Sequence, residues 1–287
     1  MVSIRSWMQA DIDYVMESVK REGWGYTRRD IERCWQYEPN GCFIAEDQNK
    51  SIGHVFSICY GKMGWIGLLI VNPEKRERGV GAILMHTAIS YLQRAGVETI
   101  RLEAVEKAVA LYKHLGFREE FDTLRLSKQL KGKEEPEHRV GEKIFPMKEE
   151  DIENIAKFDS KYFGANRLRV LWSLYKDQPQ HCFVARENQR ILGYLMSRKI
   201  PNAHLIGPWV CGKPDKAEEL LNAYINSMEE GKIELRLGMP VPNINGARLI
   251  EKLGFQVTRK RLRMIRGENK HQGDIAGIYG IGGSEKG

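Results

Sequence analysis

The sequence holds no apolar run approaching the roughly 18 residues that a membrane-spanning helix needs, so no span is expected. Its first residues are polar and amphipathic rather than signal-like. None of its five cysteines stands in a C-x-x-C pair. Cys34, Cys42, Cys182 and Cys211 read as free, mostly buried thiols of a reducing cytosol, and a cytoplasmic location is expected. No clustered ligand spacing points to a metal. RNP, zinc-finger and helix-turn-helix patterns are missing too. The net charge of +7 is a modest excess that suits steering of an anionic ligand and supports nucleic-acid binding only weakly.

What the chain has instead is a repeat. Cys42-Phe43-Ile44-Ala45, closed by Gly53, returns 140 residues later (182 − 42) as Cys182-Phe183-Val184-Ala185, closed by Gly193. The same offset relates Asp11-Ile12 to Asp151-Ile152 and Ile66-Gly67 to Ile206-Gly207, and an offset of 138 relates Leu115-Gly116-Phe117 to Leu253-Gly254-Phe255. A length of 287 residues would suit one large domain or two ordinary ones; the repeat favours two. Apolar residues make up 42%, enough for a core in each. The expected division is an N-terminal domain over 1–130, a charged linker with Pro136 over 131–142, a second copy over 143–266, and a tail over 267–287 that packs on the protein.

The first copy reads β-α-α-β-β-β-α-β-α-β. Ile12, Val15, Met16 and Val19 fall at helical spacing after Asp11, and Ile31, Cys34 and Trp35 share a face of a second helix. Asp47-Gln48-Asn49-Lys50 reads as a hairpin turn. Trp65–Val71 is apolar throughout, as in a central strand covered on both faces. A helix over Val80–Ala95 stops at Gly96, a short one spans Ala108–Leu115, and the last strand spans Phe117–Leu126.

Between the central strand and the helix stands Arg76-Glu77-Arg78-Gly79-Val80-Gly81-Ala82. Glycines there let backbone approach a ligand, helix-start N–H groups face an anion, and Lys75, Arg76 and Arg78 add charge. No Gly-Lys-Ser/Thr follows, so it is not a P-loop, and no third glycine completes a dinucleotide fingerprint. A solvated turn with a good helix start remains the plain alternative.

Ile66–Ala82, IGLLIVNPEKRERGVGA, resembles motif A of the GNAT acyltransferase superfamily, and Ala108–Phe117, AVALYKHLGF, resembles its motif B. Residues 143–265 resemble a divergent second copy, and the whole chain is similar to two-domain GNAT proteins. The resemblance implies an α/β fold of two tandem GNAT-like domains, each a splayed mixed β-sheet flanked by helices. It implies an acyl-CoA-dependent N-acyltransferase, most simply an acetyltransferase using acetyl-CoA as co-substrate and no metal. By likeness, pyrophosphate sits on the backbone of Arg76, Arg78, Gly79, Val80, Gly81 and Ala82. Pantetheine pairs near Leu69, Ile70 and Val71. Tyr112 then meets the departing thiolate, although a helix tyrosine with its ring in the core is the bland reading.

A base is harder to assign, because Gly67, Leu68 and Leu69 hold no acid where family members often carry one. Glu22 and Glu103 are candidates that also read as charge partners. Trp24, Tyr26 and Trp65 are candidate pocket walls, and His86 is expected to face away. In the second copy the turn reads Cys211-Gly212-Lys213-Pro214-Asp215-Lys216-Ala217, without Gly-x-Gly, and Ile250 replaces Tyr112. That copy reads as a non-catalytic partner walling the acceptor site, with His204, Trp209 and Cys211 as weak pocket candidates or sheet core. The acceptor is expected to be a small-molecule amine rather than a peptide, with no nucleic-acid or membrane partner, on a monomer or homodimer. A non-catalytic acyl-CoA sensor or structural protein is the alternative, and a protein or peptide amine acetyltransferase is the second.

Overall fold

A computed structural model describes residues 2–131, 143–200, 202–228 and 231–287. Apart from residue 131, the expected linker lies outside them. The chain divides into two compact units: unit 1 holds residues 1–120, 263–271 and 284–287, and unit 2 holds 121–262 and 272–283.

Unit 1 begins with β1 (Ser3–Ser6) and α1 (Ile12–Arg21), which buries Ile12, Val15, Ser18 and Val19 along one face. In α2 (Arg28–Tyr37), Asp30 N–H donates to Thr27 Oγ1 at 3.2 Å while Thr27 N–H donates to Asp30 Oδ2 at 2.9 Å, a reciprocal cap that fixes where the helix starts. β2 (Cys42–Asp47) and β3 (Lys50–Tyr60) form the expected hairpin. Its two central residues, Gln48 and Asn49, take φ of 51° and 60°, which suits the right-handed twist of the paired strands. β4 (Met63–Val71) is followed by α3 (Val80–Arg94), β5 (Thr99–Ala104) and α4 (Val109–His114). α3 ends before Gly96, whose φ of +82° turns the chain.

The sheet of unit 1 runs β1-β2-β3-β4-β5. α3 packs on one face: a Cβ at Gly53 would lie 3.2 Å from Leu84, and one at Gly64 2.9 Å from Leu92. His54, the neighbour of Gly53, points to the opposite face, where its ring meets those of Trp7 and Tyr14. The central strand is therefore covered on both sides, and Trp65, Ile66, Leu68 and Ile70 are buried.

The last strand of the first repeat is longer than its sequence suggests. β6 runs Arg118–Lys131 because Thr123–Lys131 pairs residue for residue with Pro240–Lys232 of a later strand. Both stretches belong to unit 2. The remaining elements are β7 (Ile144–Pro146), α5 (Ile152–Phe163), α6 (Leu168–Asp177), β8 (Cys182–Glu187), β9 (Arg190–Ile200), β10 (Ala203–Cys211), α7 (Pro214–Asn226), β11 (Lys232–Pro240), α8 (Ile244–Lys252), β12 (Gln256–Gly267) and β13 (Ile278–Gly280). Unit 2 orders its strands β6-β11-β10-β9-β8-β7, with β13 added to β10. Its core gathers Leu195, Trp209, Leu220, Leu221, Tyr224, Leu235 and Leu237. β12 supplies Arg263–Gly267 to unit 1, where β12 neighbours β5.

The architecture is thus α/β, with two splayed mixed sheets flanked by helices. Cys34, Cys42, Cys182 and Cys211 are buried free thiols, and Cys59 is half-buried. No helix among the described residues is long and apolar enough to cross a membrane.

Candidate functional site

The splay in unit 1 starts from one extra residue. Along β3, His54 pairs with Ile70 and Phe56 with Gly67, so two steps on β3 face three on β4. The surplus is absorbed at Leu68, whose φ of +51° is left-handed and strained for a leucine. β4 and β5 pair in parallel only from Met63↔Thr99 to Ile66↔Leu102. Beyond that point Leu69, Ile70 and Val71 leave the shared ladder, and Leu69 and Val71 are half-buried.

At the end of β4 the glycine-rich turn is open to solvent from Arg76 to Gly79. Gly79 stands directly before α3 with φ +79°, and a Cβ there would meet nothing within 4 Å. The first bond toward the helix is Ile83 N–H to the Gly79 carbonyl, so the N–H groups of Val80, Gly81 and Ala82 have no carbonyl four residues back within the helix. Such a terminus favours an anion. A Cβ on Gly81 would lie 3.5 Å from Leu111 Cδ2 and 3.8 Å from Val71 Cγ2. The turn, the end of β4 and α4 therefore converge at Gly81.

The charges around this turn are unequal in availability. Lys75 Nζ is paired with Asp47 at 2.9 Å. Arg76 Nε donates to the Val71 carbonyl at 3.0 Å, and its Nη2 is paired with Glu22. Glu22 also holds Lys107 Nζ at 3.1 Å. Burial alone would raise the Glu22 carboxyl, but Lys107 and Arg76 outweigh it and hold it below its ordinary value. Glu22 is thus built as a charge partner. Arg78 is exposed and makes no ion pair among the described residues.

Tyr112 is buried on α4, its ring edge-on to Phe117 at 6.0 Å. Burial pushes its phenol up, so the hydroxyl keeps its proton and can only donate one at neutral pH. Glu103 is half-buried on β5. Burial lowers the Arg263 guanidinium to about 10, and the charges of Glu120 and Glu103 oppose that fall. Arg263 in turn lies 5.0 Å over the Trp65 ring. His86 is exposed on α3, on the far side of its helix from the buried stripe. Trp24 and Tyr26 lie in the loop before α2, half-buried, with ring centroids 6.3 Å apart.

Four residues that sequence reasoning did not single out close this face of unit 1. Of Ser284, Glu285, Lys286 and Gly287, the first three lie against β3 and β4. Trp65 Nε1 donates to the Ser284 carbonyl at 2.8 Å, Tyr26 hydroxyl to Glu285 Oε2 at 2.7 Å, and Tyr60 hydroxyl to the Lys286 carbonyl at 2.9 Å. A Cβ at Gly67 would lie 2.8 Å from Glu285 Cβ and 2.9 Å from its carbonyl oxygen. A glycine inside an apolar strand signals such close approach, and it is the trace in the sequence of where the tail, expected to pack on the protein, comes to lie.

Unit 2 repeats the bulge with a different outcome. Ser197 pairs with Ile206 and Leu195 with Trp209, again two steps against three, and the parallel ladder between β10 and β11 stops at Ile206↔Leu237. There β13 fills the opening. It pairs with β10 at Trp209↔Gly280 and Val210↔Ile278, and Ile281 N–H donates to the Gly238 carbonyl of β11 at 2.8 Å. Asn243 Nδ2 donates to the Ile278 carbonyl at 3.0 Å, and the Trp209 and Tyr279 rings lie 5.2 Å apart. His204, Trp209 and Cys211 all sit buried on β10, Trp209 in the core and His204 bonded to Tyr224 at 2.6 Å. Among the described residues no group of three or more His, Cys, Asp or Glu could hold a metal ion.

Comparison with known proteins agrees with this geometry. The family described as "Acetyltransferase (GNAT) family" matches residues 5–117, and "Acetyltransferase (GNAT) domain" matches 155–280. Holothin acyltransferase of Pseudoalteromonas sp. (strain SANK 73390) is 21% identical over 267 residues, spanning 93% of this chain and 88% of that protein. A solved structure from Pyrococcus horikoshii superposes with TM-score 0.83 at 24% identity, covering all of this chain and 96% of that one. A tandem GNAT protein from the clavulanic acid biosynthesis pathway superposes with TM-score 0.61 at 12% identity, covering 93% and 98%.

Proposed function

Because the chain belongs to the GNAT acyltransferase superfamily, with one GNAT domain in each half, we propose that unit 1 moves an acetyl group from acetyl-CoA to a primary amine. Membership supports acyl-CoA-dependent acyl transfer in general; the acetyl donor, the amine and the residues are the proposed part. The single observation that carries the reading is the bulge at Leu68, which frees Leu69–Val71 from the β5 ladder directly before an exposed helix N-terminus.

In this reading the N–H groups of Val80, Gly81 and Ala82 take the pyrophosphate, with Arg76 and Arg78 alongside. Leu69, Ile70 and Val71 offer backbone to the pantetheine, and a donor there polarises the thioester carbonyl. A neutral amine attacks that carbon, the carbon–sulfur bond breaks, Tyr112 donates its proton or a hydrogen bond to the thiolate, and the proton shed by the acylated nitrogen passes through water to restore the phenol or protonate the thiolate. Burial keeps the phenol protonated at neutral pH, which suits a hydrogen-bond donor, while the upward push makes full proton transfer harder.

Calorimetric titration with acetyl-CoA, followed by thiol release across a panel of primary amines, tests the reading. Binding with release for at least one amine supports it. Binding without release for every amine would favour an acyl-CoA sensor instead, and absence of binding would remove unit 1 from acyl transfer.

A further inference from the structure

The central strand of unit 1 carries no acid at residues 67–69, yet a carboxylate stands against it. At Gly67 a side chain of any size would collide with the backbone and Cβ of Glu285. The glycine is needed for space, because its own backbone is not left-handed. Glu285 therefore lies beside the bulge, against Gly67, which stands one residue before Leu68 and two before the strand segment that leaves the ladder.

Its surroundings are built for a charged pair. Glu285 is 1% exposed and Lys286 2% exposed. One carboxylate oxygen accepts from Tyr26 and the other binds the Lys286 ammonium. Burial pushes the thiol of Cys34 on α2 up, and the Glu285 charge pushes it further. Arg33 and Asp30, a buried pair, lie on the same helix. Taking two charges out of water costs several kcal/mol unless their geometry and hydrogen bonds compensate. Three aromatic donors, Tyr26, Tyr60 and Trp65, hold the segment in place.

Resting on the acetyltransferase reading, we propose that Glu285 is the carboxylate that binds the acceptor amine of unit 1, at the place its own neighbour Lys286 occupies with a primary ammonium. The acceptor class that follows is a cationic primary amine, which displaces Lys286 Nζ from Glu285 and releases its extra proton to water before the neutral amine attacks. A carboxylate fixed there favours ammonium-bearing acceptors over neutral ones, and it confers that preference on a strand that lacks an acid of its own.

The test uses the full chain, acetyl-CoA, and the amines methylamine, putrescine and lysine amide, with aniline as an acceptor that is neutral at pH 7. E285Q keeps the shape and a hydrogen-bond acceptor for Tyr26. It should raise KM for the cationic amines by about ten- to a hundredfold, the loss expected of a charge-assisted bond, and leave KM for aniline and the Kd of acetyl-CoA within about twofold. K286M removes the competing ammonium and should lower KM for the cationic amines several-fold; a purely structural pair would move both variants the same way. Unchanged KM in E285Q, or an equal change for aniline, overturns the proposal while leaving acetyl transfer intact. If either variant fails to fold, Y26F is read instead, with a rise in KM of about threefold or more for the cationic amines only; no rise overturns the proposal. A wild-type chain that binds no acetyl-CoA overturns the acetyltransferase reading and this assignment with it.

Discussion

The two bulges are built alike and used differently. In both repeats one strand gains a residue on its partner, and in both the parallel ladder stops where that surplus begins, at Ile66↔Leu102 in unit 1 and Ile206↔Leu237 in unit 2. In unit 1 the strand beyond that point keeps Leu69–Val71 off the β5 ladder. In unit 2 the same edge is consumed by β13, with Ile281 bonded across to β11. Gly207 admits Ile281, since a Cβ there would lie 2.9 Å from its carbonyl carbon. The donors that could receive an extended ligand in one copy are saturated by the chain's own backbone in the other. A splayed sheet alone therefore does not make a binding cleft; what matters is whether its open edge is already hydrogen-bonded.

The strongest way to break that comparison is to spoil the open copy. Gly81→Glu places an anion at the turn where α3 starts. A lone Cβ there makes only ordinary contacts at 3.5 and 3.8 Å, so the fold should survive and the charge should decide. Acetyl-CoA affinity is expected to fall by about a hundredfold or more, as like charges brought together cost several kcal/mol. Lys213→Glu, at the exposed corresponding turn of unit 2, should leave it unchanged. Calorimetry on both variants checks this; equal losses would mean that the cleft has been assigned to the wrong copy.

Next in size is the plug itself. Asn243 is fully buried, caps α8 through Gly246 N–H at 2.8 Å and holds the Ile278 carbonyl at 3.0 Å. Asn243→Ala removes a cap and a buried bond together and should cost about 2 kcal/mol in denaturant unfolding. Val105 stands at the equivalent place in the first repeat and makes no side-chain cap. Val105→Ala should stay within about 0.5 kcal/mol. A similar loss in both variants would show that Asn243 does not anchor β13.

Tyr112→Phe comes third. It removes one proton donor and keeps the ring against Phe117, so turnover should fall about ten- to a hundredfold while acetyl-CoA affinity and melting temperature hold. Ile250, its counterpart, has no hydroxyl to lose, and Ile250→Val should not alter turnover. Stopped assays of thiol release distinguish the two; unchanged turnover in the Tyr112 variant would reduce it to packing.

Much of this was legible before any coordinates. The 140-residue offset announced two copies, and the apolar run at Trp65–Val71 announced a central strand, because short-range periodicity survives duplication. The strand–turn–helix around Gly79 followed from the same local signals. What fills the splay of unit 2, and what lies beside the bulge of unit 1, was not legible. Ile278–Gly280 is too short for a strand pattern to show, and its partners lie on β10 and β11, far back in the chain. The tail over 267–287 is expected to pack on the protein, but no local pattern says where Glu285 and Lys286 go, and Gly67 hints only that something comes close to β4. β6 outran its expected end because its final residues are set by pairing with β11, which local propensity does not encode.

The smallest effect concerns the charge that guards the open copy. Glu22 ties Arg76, after β4, to Lys107, after β5, so two cations near the turn are half-neutralised in the free protein. Glu22→Gln should return them to an incoming anion and tighten acetyl-CoA binding by about two- to fivefold at low ionic strength, the range of a partly exposed pair. The gain should fade as salt is raised past about 0.1 M, where the Debye length shrinks to the size of the turn. A pH series adds an independent readout. Burial would raise the Glu22 carboxyl, but its two partners hold it below the ordinary glutamate value. The stability it contributes is then fully present above the unfolded-state value and lost as pH falls through the lowered folded one. Wild type should therefore lose this increment in the acid range while the Gln variant, which has no proton to take up there, should not. Identical acid profiles for the two proteins, or weaker binding in the variant, would show that Glu22 shapes the turn rather than screening it.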